Sequence, residues 1–305
     1  MKKLLNIDGG GVRVYFPLLI INYIEKKTNK KIIDIFDFYS GVSASSIILS
    51  AILTRYSVEE VIKIFKEISK KIFYKSYFYT VRSGFGLFNS KYPECYINNE
   101  FSKFFSELKL SDAKKPLSIL SYDLASSTPI CWHSYNDTHK EQDLWKVVRG
   151  STAAPTFFPP FVLDSHVLID GGVVTNNLSE LIFTHALVHY GREEEFFQVS
   201  IGTGIYNPKV ASTPSGLWSW AGSIINVFSN ASGSYEMKTL KELSKIENLK
   251  HFYRLEIQLD ENIILDDYSA FDKMDKIFEA WRGDNQTLLD NICDELMKYD
   301  LKNEH

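Results

Sequence analysis

Short apolar runs alternate along the chain with longer segments whose apolar residues recur at three- and four-residue spacing, a pattern that predicts strands separated by helices. "KLLNI" enters "DGGGVR", and "PLLIINYIEKK" follows with Pro17 suited to a first helical turn, so the opening predicts strand, glycine loop, helix. "DIFDFY" leads in the same way into a turn at Ser43 and a long apolar helix. Ser57 and Glu60 have the spacing of a capping box ahead of an amphipathic helix. "KPLSILSYDLA" and "PICWHSY" predict a pair of strands, and "HVLID", "EFFQVSIGTG" and "HFYRLEIQL" three more. "NNEFSKFFSEL", "DLWKVVRGSTAA" and the tail over residues 269–301 predict helices. Strands alternating with helices imply a largely parallel sheet covered on both faces. Residues 73–96 break the rhythm, being rich in aromatics and glycine without a clear period, and predict an irregular insertion. No repeat or low-complexity linker divides the chain, so residues 1–305 are expected to form one domain.

Composition narrows the function classes. With 45% hydrophobic and 14% aromatic residues, the chain can bury one large core. A net charge of -4 with both signs interspersed supplies no basic stripe, which argues against nucleic acid as a partner or substrate. Clusters such as "REEE" and "NKK" read as solvated faces. Cys95, Cys131 and Cys293 are odd in number and far apart, suggesting neither a disulfide framework nor a C-x-x-C metal site, and a reducing compartment fits. Asp8 and three glycines interrupt the amino terminus before an apolar region of signal-peptide length can form, and no run approaches the roughly 20 apolar residues of a membrane span. A cytoplasmic protein is expected, with membrane contact at most peripheral.

Three loops are predicted to leave strands at their carboxyl ends, where an open α/β sheet gathers its reactive groups. In "DGGGVR", Gly9, Gly10 and Gly11 let the backbone turn its N–H groups outward, making a site for a phosphate or an oxyanion; the alternative is a permissive turn. Ser43 sits in "YSGVSAS", whose spacing resembles the G-x-S-x-G elbow with Ser45 in place of the last glycine; the alternative is a small residue at a helix cap. Asp170 ends "HVLID" before Gly171 and Gly172 and is either a base within reach of a serine hydroxyl or a turn aspartate.

"NIDGGGVRVYFPLLIINYIE", "FDFYSGVSASS", "STAAPTFFPP", "LIDGGVVTNN" and "VSIGTG", in this order, resemble the patatin-like phospholipase family, and "FYRLEIQ" extends the likeness toward the carboxyl end. The resemblance implies a three-layer α/β/α sandwich around a mainly parallel sheet, and hydrolysis of lipid acyl esters by a Ser-Asp dyad without histidine, metal or other cofactor. It implies Ser43 as nucleophile, Asp170 as base, and an oxyanion hole from Gly9, Gly10, Gly11 and neighbouring amides. Arg13, Gly41, Gly171 and Gly172 would support these groups, and the partner would be phospholipid or another acyl lipid at a membrane surface, with an activating partner or small-molecule regulator left open. The chain departs from the family pattern at Val14, where glycine is usual after the arginine, and at Ser45 and Ser46, which replace two glycines after the nucleophile.

Other readings compete. A Ser-Asp-His esterase would draw on His185, His189 or His251, all of which follow Asp170, though none lies in a glycine-bounded loop. A nucleotide-binding module would use the triple glycine, but "DGGGVR" lacks the G-K-[ST] ending. A non-catalytic lipid-binding effector would account for Ser45 and Ser46. Phe157, Phe158 and Phe161 are either acyl-pocket walls or core. Leu217, Trp218, Trp220, Ile224, Ile225, Val227 and Phe228, in residues 215–233, form either a lipid-facing patch or a buried helix.

Overall fold

The apolar run Lys2–Ile7 (β1) lies at the middle of an eight-stranded sheet, with all but its first residue buried. The computed structural model describes residues 1–76, 79, 89–206, 224–245 and 248–299, with backbone alone for residues 224–232 and 234. β1 is flanked by parallel neighbours Phe38–Val42 (β2) and Phe196–Ile201 (β7). Beyond β2 lies Leu117–Asp123 (β3), and beyond β7 lies Leu249–Leu255 (β9), both again parallel. The far end of the sheet is antiparallel: Thr128–His133 (β4) returns along β3, and His166–Asp170 (β6) joins β3 to the short edge strand Phe161–Leu163 (β5). Ile205–Tyr206 (β8) and Gln258–Leu259 (β10) form a separate parallel pair.

Alternation along β1 sends its side chains to two cores. Leu5 and Ile7 pack with Tyr15–Thr28 (α1), Ala44–Thr54 (α3), Val58–Ile72 (α4), Glu94–Phe104 (α5) and the tail helices, and the short helix Ile32–Ile35 (α2) adds Ile32 and Ile35 to the same core. Leu144–Ser151 (α6) covers the antiparallel end of that face. Leu4 and Phe38 face the other way, onto Ser179–Tyr190 (α7) and Ile224–Leu243 (α8). Helices therefore cover both faces, giving the three-layer α/β/α sandwich expected from the sequence. The capping box at Ser57 and Glu60 is formed, with the Ser57 hydroxyl accepting from the Glu60 amide and the Glu60 carboxylate from the Ser57 amide.

Some boundaries differ from the sequence reading. The carboxyl-terminal helix breaks at Asn285 into Phe271–Asp284 (α9) and Gln286–Lys298 (α10). The irregular segment ends before Glu94, where α5 starts, and both of its ends are anchored: Phe73 packs on Tyr92, and Tyr92 and Lys91 bind the buried Asp266. β5 was hidden by the prolines before it, and "HFYRLEIQL" is interrupted where Glu256 turns to accept the Gly204 amide. Residues 77–78 and 80–88 of the proposed insertion lie outside the described residues, as do Leu217, Trp218 and Trp220 and the side chains of Ile224, Ile225, Val227 and Phe228. Among the described residues no helix is long and apolar enough to cross a membrane.

The edge of β3 shared by two strands places the site. β2 pairs with its first half and ends with Val42 opposite Leu120; β6 arrives from the other direction and ends with Asp170 opposite Ser121. Two carboxyl ends thus meet head to head at adjacent positions of one edge, and the residue after β2 faces the last residue of β6.

Candidate functional site

The residue after β2 is Ser43, and its Oγ donates to Asp170 Oδ2 at 2.6 Å. Ser43 has φ 58° and ψ −133°, a left-handed conformation uncommon for a side-chain-bearing residue and of order 1–3 kcal/mol unfavourable, which turns its side chain out of the strand-to-helix path. The surroundings hold that turn. The Ser43 amide donates to Ser151 Oγ at 3.0 Å, and the Ser151 hydroxyl donates to the Leu120 carbonyl at 2.7 Å, tying the elbow to β3 where β2 and β6 meet.

The two serines that replace family glycines fold back into the elbow. Ser45 Oγ accepts from the Val42 amide and donates to the Val42 carbonyl, both at 2.8 Å, while Ser46 Oγ donates to the Ser43 carbonyl at 2.6 Å. Gly41 makes room for this, since a Cβ there would stand 2.7 Å from Ser45 Oγ. The hydroxyls therefore satisfy elbow backbone, and Val14 is buried in the core. Neither departure intrudes on Ser43.

Asp170 is 4% exposed. Oδ1 accepts the Gly172 amide at 2.7 Å, leaving Oδ2 for Ser43. Burial outweighs these two hydrogen bonds and raises the carboxyl to about 6, so the group is an anion at neutral pH and a stronger base than an ordinary aspartate. Gly171 lets β6 close on β3: a Cβ there would lie 2.4 Å from the Leu120 carbonyl oxygen.

The glycine loop lines the same cavity as Ser43 and Asp170. Its three amides are not equivalent. Gly9 donates to the Asn176 carbonyl at 2.9 Å, which corrects the expectation that all three glycines offer free donors. The Gly10 and Gly11 amides have no hydrogen bond to the described residues. Gly11 (φ +55°) turns under the Leu265 carbonyl, and Gly10 lies against Thr203, whose hydroxyl donates to the Gly9 carbonyl at 3.0 Å. Arg13 donates to the Gly204 carbonyl at 3.3 Å, so it braces the neighbouring loop.

Beneath the loop lies a buried ion cluster that sequence reasoning missed. Arg254 donates to Asp8 Oδ1 at 2.9 Å and Oδ2 at 2.5 Å, and also binds Glu256 and Ser200. Burial raises both Asp8 and Glu256 while Arg254 opposes the rise, and the two carboxylates hold Arg254 firmly charged. Arg254 and Glu256 lie together in the quoted block "FYRLEIQ", but Asp8 lies 246 residues away in "NIDGGG", and no local spacing links the two blocks. Ser151, Asn176 and Thr203 were missed for the same reason.

The cavity has a volume of about 930 Å³. Ile47, Phe65, Ile68, Ile72, Phe101 and Phe158 supply apolar walls leading away from Ser43, and Phe157 also lines it. Phe161 does not; it stands in β5 beneath the fully buried Arg149, 5.3 Å from the guanidinium. The three histidines weighed as bases are engaged elsewhere: His251 bonds to Tyr299 at 2.9 Å, His185 packs on His133, and His189 on Tyr135.

Comparison with known proteins shows the family of the chain. The sequence profile of the family described as Patatin-like phospholipase matches residues 5–182, which take in the glycine loop, Ser43 and Asp170. Patatin-like protein 4 of Arabidopsis thaliana is 26% identical over 72% of this chain and 65% of its own length. The calcium-independent phospholipase A2-gamma of Mus musculus is 25% identical over 90% of this chain and 37% of its own. Patatin-15 of Solanum tuberosum is 22% identical over 98% of this chain and 84% of its own. The chain thus spans less than two thirds of the Arabidopsis and mouse relatives it matches. Among solved structures, VipD from Legionella pneumophila aligns over 92% of this chain and 67% of its own at 13% identity, with a TM-score of 0.46. With a family match that covers more than half of its length, the chain belongs to the patatin-like phospholipase family.

Proposed function

We propose that the protein is a lipid acyl hydrolase of phospholipase A type working through a Ser43–Asp170 dyad. The observation that carries this reading is the 2.6 Å contact between a strained serine and a buried carboxylate that both line a largely apolar cavity. Ser43 Oγ attacks the ester carbonyl carbon as its proton passes to Asp170, and the oxyanion that forms takes hydrogen bonds from the Gly10 and Gly11 amides. The C–O bond to the leaving alcohol breaks, and Asp170 gives that alcohol its proton. Water then attacks the acyl carbon, losing a proton to Asp170; the acyl–Oγ bond breaks, Asp170 returns that proton to Ser43 Oγ, and the fatty acid is released. The substrate is an acyl lipid at a membrane surface because the apolar walls suit a fatty chain.

Among the described residues, the carboxylates lining the cavity are already engaged, Asp8 and Glu256 by Arg254 and Asp170 by Ser43 and Gly172. No free pair of oxygens among them suits a hard cation such as calcium. Incubation with mixed phospholipid vesicles, followed by mass spectrometry of the products, tests the proposal. Free fatty acid and lysophospholipid are expected from wild type and not from Ser43→Ala. Release should continue within about twofold in chelator, and fall tenfold per pH unit below about pH 6 as Asp170 is protonated. Products equal in the Ser43→Ala sample, or turnover that requires added calcium, would refute it.

A further inference from the structure

β4 and α7 carry a second group of reactive side chains, outside the cavity of Ser43 and Asp170. Cys131 and His133 are two residues apart on β4 and so point from the same face of the strand. That face meets α7, which contributes His185, its ring centroid 4.5 Å from that of His133. One ligand atom from each of Cys131, His133 and His185 can be chosen so that all lie within 4.8 Å of one another.

Two further observations bear on what the group could hold. Nδ1 of His185 is buried without a hydrogen-bond partner among the described residues, and such a nitrogen calls for a missing partner. His133 Nδ1 stands 4.0 Å from Cys131 Sγ and 2.9 Å from Ser118 Oγ of β3, so Ser118 holds the imidazole beside the sulfur. A sulfur with two imidazole nitrogens suits a borderline-soft divalent cation and not calcium or magnesium, which take oxygen ligands. Three side chains leave one tetrahedral position, which the half-buried setting of all three residues leaves open to water.

We propose that Cys131, His133 and His185 form a binding site for a zinc-type divalent cation that clamps β4 to α7. Small side-chain rotations bring the three ligand atoms to metal-bonding distance, and Cys131 binds as its thiolate, releasing a proton to solvent. The role is structural. α7 begins just after the turn that follows Asp170, so the clamp steadies the segment behind the base without touching the substrate. Cysteine spacing could not reveal it, because only one ligand is a cysteine and the other two come from a strand and a distant helix.

The test uses the intact protein stripped with chelator and then titrated with Co²⁺ as a spectroscopic probe and with Zn²⁺ for stability. Wild type and Cys95→Ser should both develop a near-ultraviolet thiolate-to-cobalt band at one equivalent, and saturating Zn²⁺ should raise Tm by roughly 5 °C. Cys131→Ser, a near-isosteric change, should lose the band and most of the Tm rise, and His185→Gln should weaken binding at least tenfold. Should His185→Gln not fold, Cys131→Ser decides alone. A wild type without the band, a band that survives in Cys131→Ser, or one lost in Cys95→Ser would overturn the proposal.

Discussion

Ser43→Ala and Asp170→Asn will each lower kcat/KM for ester hydrolysis about 10⁴-fold or more, and the double variant will be little worse than either, because groups that act as one unit do not add. The two substitutions part company in stability. Asp170 has its carboxyl raised by burial from 3.8 to about 6, so between those values the folded protein holds a proton that the unfolded chain has lost. Stability contributed by this group therefore falls as pH rises through that window, and the loss is complete at neutral pH. Asparagine keeps the shape, with its one acceptor oxygen on the Gly172 amide and its NH2 donating to the Ser43 hydroxyl oxygen, while removing the buried charge. Asp170→Asn should accordingly melt no lower than wild type at pH 7.5, and the difference should shrink below pH 4, as thermal unfolding across pH can measure. An inactive Asp170→Asn that melts well below wild type would mean that the carboxylate serves the fold.

The second large effect lies beneath the glycine loop. Arg254→Met removes the only cation bonded to both Asp8 and Glu256 among the described residues. Breaking such a buried ion network by deleting one partner destabilises by about 3–5 kcal/mol, since the remaining charges lose their compensation. A drop in Tm of roughly 10 °C is expected. Arg254→Lys should recover little, because one ammonium cannot reach both oxygens of Asp8 and Glu256 as the planar fork does. Adding Asp8→Asn to Arg254→Met should restore part of the stability. Asp8 begins the glycine loop and Glu256 holds the Gly204 amide beside it, so the Arg254 variants should also lose activity in excess of any unfolded fraction. Full activity in a destabilised Arg254→Met would dissociate the cluster from the loop.

Both effects depend on contacts that a local pattern reveals unevenly. The glycine loop, the Ser43 turn and the Asp170 turn were legible because each is a short strand followed at once by residues that only a tight turn accommodates. The sheet around them was legible in composition, since buried parallel strands read as continuous apolar runs. Strand direction was not. Nothing within "HVLID" says that it runs against β3, and that reversal is what brings Asp170 to the end of β2. Occupancy of backbone donors was equally hidden: the Gly9 amide looks like its neighbours in sequence, and only the approach of Asn176 removes it from the set. Ser45 and Ser46 read in sequence only as departures from the family pattern, and their hydrogen bonds to the elbow backbone, made at zero exposure, were not visible there. Arg254 and Glu256 are 2 residues apart, but Asp8 is 246 residues from Arg254, and a separation of that size carries no spacing to recognise.

The dyad itself is tested most directly by reacting the native protein with a fluorophosphonate and mapping the adduct by peptide mass spectrometry in wild type, Ser43→Ala and Asp170→Asn. One adduct per chain on Ser43, absent from Ser43→Ala and formed at least a hundredfold more slowly in Asp170→Asn, is the predicted result. Labelling of a different residue, or an Asp170→Asn protein labelled on Ser43 as fast as wild type, would contradict the assignment of Ser43 as nucleophile and Asp170 as its base.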